Sequence, residues 1–234
     1  MRISAEDREI DRRVSELGVA ISALDGADDN LRRAALHLPF QFVGRSIEEF
    51  TGADCANEDP NDDLRWLKIQ ATRYLSRGEN FYAVQPTHIL ALVTSPGKGS
   101  EPAIFGLCRY PEVIEIEGEM HPTHLHGWSS AGSCKTQYAS NPSLGGINNF
   151  LRCHLSVISL LDSAGRLGLM KKVTDESNYW DRRDRQELVD TVEKWNRMMA
   201  GFAGRLIDEC GVSVKAAITE YPNFEHLEAL AQYD

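Results

Sequence analysis

Phe81-Tyr-Ala-Val84, Ile89-Leu-Ala-Leu-Val93, Ala103-Ile-Phe-Gly-Leu-Cys-Arg-Tyr110 and Val113-Ile-Glu-Ile-Glu117 follow one another with short polar connections between them. Each run is rich in β-branched and aromatic residues, which suit a pleated, half-buried surface. The last alternates apolar with acidic residues, as a strand does when one face meets water. The run Ile89–Val93 fits a strand or a buried helical segment equally well, because an unbroken apolar run carries no period. Ser95-Pro-Gly-Lys-Gly-Ser100 is a turn by composition. A further strand is expected to end at Cys134-Lys-Thr-Gln-Tyr-Ala139.

Beyond these strands the period changes. A loop over Ser140–Gly146 leads into a helix from Asn148 to about Arg166, with Phe150, Leu151, Leu155, Ile158 and Leu161 on one face. Lys172–Thr174 reads as a short strand. A long helix from about Asp181 to Glu209 follows, its apolar stripe being Leu188, Val192, Trp195, Met199, Phe202 and Leu206. Val214–Glu220 reads as a last strand. On the N-terminal side, Ile10, Val14, Leu17, Ile21 and Leu24 make one stripe of a helix over Ala5–Leu24, and a second helix is expected near Leu31–Leu38. Arg45–Asp63, with seven acidic residues against one basic, reads as an exposed loop. A helix capped by Asp62 or Asp63 is expected to run through Ser76, with Leu64, Leu67, Ala71 and Leu75 inward and Gly78 closing it. The class that follows is α+β: a mainly antiparallel sheet with helices packed on one face, after a helical N-terminal third. One domain is expected over 1–234, residues 1–78 forming its helical part and 79–234 its α+β core.

With 234 residues, 42% of them hydrophobic and 26% charged, the chain has the composition of an ordinary globular protein. No apolar run approaches the ~20 residues of a membrane-spanning helix. The first residues are charged throughout and lack the apolar segment of a secretory signal, so a cytoplasmic location is expected. Five scattered cysteines, without a Cys-x-x-Cys pair, fit reduced thiols better than a disulfide framework. A net charge of −10 argues against nucleic acid or an anionic membrane as partner, since such surfaces need clustered Lys and Arg.

Four constellations carry side chains suited to chemistry. His121, His124 and His126 lie within six positions, and on a strand His124 and His126 would share a face, the arrangement in which two imidazoles bind one metal. In the stretch Cys134-Lys135-Thr-Gln137, a thiol beside a cation has the setting that lowers its pKa, and His154, in the middle of the apolar face of the following helix, would be its base. Lys135 and Gln137 would then donate to a substrate oxygen. Gly145, Gly146 and Asn148, where loop meets helix, present backbone N–H groups suited to a small anion. Asp175 and Glu176 are paired carboxylates next to two aromatic residues, suited to acid–base work if their environments separate them.

Three functional readings follow. The first is a binding or interaction module that meets a basic protein partner through the acidic stretch Glu48–Asp63. The second is a Cys-dependent hydrolase or transferase on a small substrate, with Cys134 as nucleophile and His154 as base. The third is a metal-dependent enzyme built on His121, His124 and His126.

Overall fold

The computed structural model describes residues 48–56, 59–62, 64–166, 172–210 and 215–231. The helices expected over Ala5–Leu24 and Leu31–Leu38 lie outside these residues. In chain order the described elements are β1 (Glu48–Thr51), α1 (Arg65–Ala71), a hairpin of β2 (Arg73–Arg77) and β3 (Asn80–Val84), β4 (His88–Thr94) and β5 (Ala103–Arg109). A second hairpin of β6 (Val113–Ile116) and β7 (Glu119–Pro122) follows, then β8 (Trp128–Ser133), α2 (Gly146–Arg166), α3 (Tyr179–Arg182), α4 (Arg185–Cys210) and α5 (Phe224–Ala231). The architecture is α+β. Its main sheet has the order β1-β4-β5-β8, antiparallel throughout, while the two hairpins stand as separate small sheets.

The undecided run Ile89–Val93 is a strand in the middle of this sheet. Ile89 and Ala91 are buried on one face and Leu90 and Leu92 on the other, so its sequence shows no alternation. Several expected boundaries move for identifiable reasons. The helix expected to reach Ser76 stops at Ala71, because Arg73–Arg77 pairs with Asn80–Val84 instead. Gly78, with φ of 60°, opens the two-residue hairpin loop between them. A left-handed glycine closes a helix and opens such a loop equally well, and only the partner strand decides. The exposed loop expected over Arg45–Asp63 contains edge strand β1 and, in its following 3-10 turn, the buried Cys55.

The strand expected to end at Cys134–Ala139 ends earlier, at Ser133. Its partner β5 begins at Ala103, and Ile104 opposite Ser133 is the outermost pair. Gln137–Ser140 is a 3-10 turn. Lys172–Thr174 forms no strand, and Ala217–Glu220 is a 3-10 turn rather than part of one. The long C-terminal helix is broken at Arg183, whose φ is 55°. Asp184 then caps α4 by accepting from the N–H groups of Gln186 and Glu187 at 2.8 and 3.1 Å.

Helix α1 covers one face of the sheet, with Leu64, Leu67 and Ala71 against Ile89, Ala91 and Cys108. Gly106 permits this approach, since a Cβ there would stand 3.0 Å from the Leu67 side chain. On the opposite face of β5, Ala103 and Phe105 meet Val157 and Leu161 of α2. Helix α2 also packs Phe150 and Cys153 on Leu188 and Val192 of α4, and the far half of α4 packs Ala200 and Ala203 on Ile218 and Tyr221. Among the described residues no helix is long and apolar enough to cross a membrane.

Candidate functional site

A cleft of about 960 Å³ opens between β5, β8, α1, α2 and the segment 172–177. Its lining includes Lys135, Thr136, Gln137, His154, Asp175 and Glu176, so five of the residues singled out from sequence meet there, as does Cys134. Each is brought by a different local cause. Thr136 sits where the chain leaves the sheet and turns into the Gln137–Ser140 segment, its φ and ψ of −102° and −11° already helical. His154 projects from α2 one helical turn beyond Phe150, whose ring centroid is 5.5 Å from the imidazole. Asp175 is fixed by an Asx-type turn. Its Oδ1 accepts from the N–H and Oγ–H of Ser177 at 3.0 and 2.7 Å, and its Oδ2 from the N–H of Trp180 at 2.9 Å.

These three side chains form a line. Thr136 Oγ1 is 3.1 Å from His154 Nδ1, and Asp175 Oδ2 is 3.6 Å from His154 Nε2, an ion-pair distance rather than a hydrogen bond. The side chains of His154 and Asp175 are only 12% and 11% exposed, and Nε2 has no hydrogen-bond partner among the described residues. Burial would push the Asp175 carboxyl up, but the His154 imidazole beside it and the donors of Ser177 and Trp180 outweigh it and hold the acid well below the usual carboxylate range. A carboxylate beside Nε2 favours the imidazole proton on that nitrogen, which leaves Nδ1 to accept the Thr136 hydroxyl proton. All three side chains line the cleft, Thr136 itself being buried at 8% exposure. A hydroxyl drawn toward an imidazole backed by a carboxylate is the arrangement of an activated oxygen nucleophile.

The thiol and the imidazole expected to pair do not. Cys134 Sγ donates to the carbonyl of Glu101 at 3.4 Å and lies 3.7 Å from Ser100 Oγ. Burial, reinforced by the Glu101 carboxylate, pushes its pKa up to about 12, against the lowering that Lys135 and His154 were expected to produce. The alternation that would put Cys134 and Thr136 on one face ends with β8, so the two residues face different partners. With iodoacetamide at neutral pH the exposed Cys210 alkylates first and Cys134 reacts more than about a hundredfold more slowly until the protein unfolds. Equal rates at the two cysteines, read by peptide mass spectrometry, would contradict this assignment.

Gly145 and Gly146 direct their N–H groups inward, to the carbonyls of Pro142 and Asn141 at 3.2 and 3.0 Å. Neither they nor the exposed Asn148 line the cleft, so the expected anion cradle is spent on the loop itself. The three histidines are also dispersed. His121 belongs to β7, while His124 has a left-handed φ of 58° in the loop after it, which ends the strand alternation that a shared metal requires. Among the described residues no group of three His, Cys, Asp or Glu side chains converges as metal ligands. In the acidic stretch, Glu49 pairs with His88 at 2.7 Å and Asp62 with Lys68 at 2.6 Å, so two of its carboxylates are used within the fold.

Sequence reasoning passed over Thr136 and the support behind it. Gln137 Nε2 donates to Asn196 Oδ1 at 3.4 Å, Asn196 Nδ2 donates to Ser140 Oγ at 2.8 Å, and Ser140 Oγ lies 2.9 Å from Tyr221 OH. Asn196, Ser140 and Tyr221 are all buried, so this line holds the turn after Thr136 against α4 and the C-terminal segment. Two signals were present in the chain: a hydroxyl two residues from the cysteine that drew attention, and the spacing Asp175-x-Ser177, which fixes a carboxylate in an Asx turn. No family model, curated protein or solved structure matches this chain.

Proposed function

We propose that the protein is a hydrolase or acyl transferase acting on a small carboxylic ester, with Thr136 as nucleophile, His154 as base and Asp175 as the group that orients and charges the imidazole. The observation that supports it is the Thr136–His154–Asp175 line in the cleft wall, with distances of 3.1 and 3.6 Å. In the first step Thr136 Oγ bonds to the ester carbonyl carbon while its proton passes to His154 Nδ1. The oxygen that gains charge is met by N–H donors of Lys135 and Gln137, which flank Thr136 and line the cleft. The bond from carbon to the leaving oxygen then breaks, and His154 returns its proton to that oxygen, releasing an alcohol. Water, deprotonated by His154, attacks the acyl-threonine, and the acid leaves with Thr136 and neutral His154 restored. An acceptor alcohol in place of water gives transfer.

This reading moves the nucleophile from sulfur to the neighbouring hydroxyl, because a thiol with a pKa near 12 has no thiolate to offer at neutral pH. It is preferred to a basic-protein docking module because Glu49 and Asp62 already have partners.

A fluorophosphonate probe tests it, since Oγ attack on phosphorus expels fluoride and leaves a stable adduct. The adduct is expected on Thr136 by mass spectrometry, retained in Thr136→Ser, absent in Thr136→Ala, and formed at least about a hundredfold more slowly in a folded His154→Gln protein. An unlabelled Thr136, or equal rates with and without the imidazole, would overturn the proposal.

A further inference from the structure

The sheet order β1-β4-β5-β8 gives β8 a partner on one side and, among the described residues, no strand on the other. The direction of its unpaired groups follows from the ladder. Continuing the register of β1 with β4, the N–H of Gly52 donates to the carbonyl of Thr87 at 2.9 Å. Alternation then turns the even-numbered residues of β4 toward β5, and the odd-numbered residues of β5 toward β4. Ile104, Gly106 and Cys108 are left for Ser133, Ala131 and Ser129, so the N–H and C=O groups of Ser130 and Gly132 point out of the sheet. Both residues line the cleft, and among the described residues neither backbone has a hydrogen-bond partner on that side.

Exposed edges are ordinarily guarded by shortness, charge or proline. The other edge, β1, is guarded in this way, with four residues that include Glu48 and Glu49. β8 has six residues, Trp-Ser-Ser-Ala-Gly-Ser, with neither charge nor proline and only small side chains after Trp128. The two helices flank it from opposite faces. Ala131 and Ser133 lie on the α1 side, where Gln70 Nε2 donates to Ser133 Oγ at 2.8 Å, while Gly132 shares a face with Phe105, which meets α2. Trp66 and Gln70 from one helix and Ile158 and Leu161 from the other line the same cleft, so the edge lies in a slot between them. One extended chain fits such a slot. The edge of a second copy would bring its own α1 and α2 against these helices.

We infer that this slot binds an extended segment of another polypeptide, which joins the sheet as a further strand against β8. The backbone of the bound segment exchanges hydrogen bonds with Ser130 and Gly132. Its side chains alternate between the two helices, polar ones meeting Gln70 and Ser133, apolar ones meeting Phe105, Val157 and Leu161. A segment of about six residues, roughly 20 Å of strand, spans the edge. The inference goes beyond the ester-cleaving reading and does not rest on it, since Thr136 lies past the end of the strand and takes no part in the pairing.

Fluorescence anisotropy tests it with a fluorescein-labelled peptide of alternating threonine and valine carrying a lysine at each end. The wild-type protein binds this probe saturably, with a Kd below about 100 μM. Methylating the amide nitrogens of two adjacent central residues keeps the charge but spoils both edges of the peptide, and weakens binding at least about tenfold. On the protein side, Ser130→Pro removes an outward N–H while sparing the bonds to β5, a change that an edge strand tolerates, and weakens binding at least about tenfold. Ser130→Ala keeps that N–H and binds as wild type does. Urea unfolding shows whether Ser130→Pro is folded, and if it is not, the methylated peptide on the wild-type protein decides alone. No saturation up to about 1 mM, or equal binding of the plain and methylated peptides, overturns the inference. A wild-type dimer in sedimentation that Ser130→Pro converts to a monomer also overturns it, by giving the edge to a second copy. Labelling of Thr136 by the fluorophosphonate probe is read separately, so either proposal can fail without the other.

Discussion

Gly132→Ala is expected to destabilise the protein by about 4 kcal/mol, from backbone strain and overlap together. Gly132 sits in β8 opposite Phe105 with a φ of 142°, a conformation L side chains rarely adopt. A Cβ built there would stand 2.4 Å from the Ile104 carbonyl oxygen and 2.7 Å from Phe105 Cα. Both are backbone atoms of the paired strand, so neither can swing aside, and relief requires β5 and β8 to part. Gly118 is the matched control. It has a φ of 87° in the β6–β7 hairpin, but a Cβ there meets nothing within 4 Å, so Gly118→Ala carries only the conformational cost of about 1 kcal/mol. Urea unfolding of the two variants measures the difference as a shift in midpoint at similar slope. If Gly132→Ala is no less stable than Gly118→Ala, the close approach of the strands is not as described.

Asp175→Ala is expected to cost about 3 kcal/mol, because it leaves the N–H and Oγ–H of Ser177 and the N–H of Trp180 without their common acceptor in a half-buried turn. Asp175→Asn keeps the shape but loses the charge and one acceptor oxygen, and costs roughly half as much. The pH dependence has a definite sign. The folded carboxyl titrates below its unfolded value, so in acid the unfolded chain binds the extra proton. Its stabilising contribution is complete above the ordinary carboxylate range and fades as pH falls through the depressed folded value. The stability gap between wild type and Asp175→Asn should therefore be constant from about pH 5 to 8 and shrink steadily below about pH 4. A gap that widens in acid, or has vanished at pH 7, would contradict the ionised, hydrogen-bonded Asp175.

The strands that decide the class were legible because Phe81–Val84, Ala103–Tyr110 and Val113–Glu117 carry their signal locally, in residue type and alternation. Helix α2 was legible for the same reason. What misled was context. Arg73–Arg77 has the composition of a helix end until Phe81–Val84 is available to pair with it, and β8 ends at Ser133, one residue short of the position opposite Ala103. The site was half legible. His154 stood out because an imidazole in an apolar helix face needs a polar partner, and Asp175 stood out as one of two adjacent carboxylates. Their meeting was not legible, since it depends on residues 172–177 passing over α2. Thr136 gave no sign by itself, because an isolated threonine in a polar stretch resembles any other until an imidazole is placed 3.1 Å from it.

The buried line from Gln137 through Asn196 and Ser140 to Tyr221 spans a long stretch of chain, Ser140 and Tyr221 being 81 residues apart. On a ribosome, the turn that follows Thr136 therefore emerges well before the tyrosine that completes its support. A partly synthesised chain carries all three members of the Thr136–His154–Asp175 line while still lacking the tether that sets the angle of the first. The tether is complete only once residues 215–221 have docked, so this turn gains its full support late in synthesis.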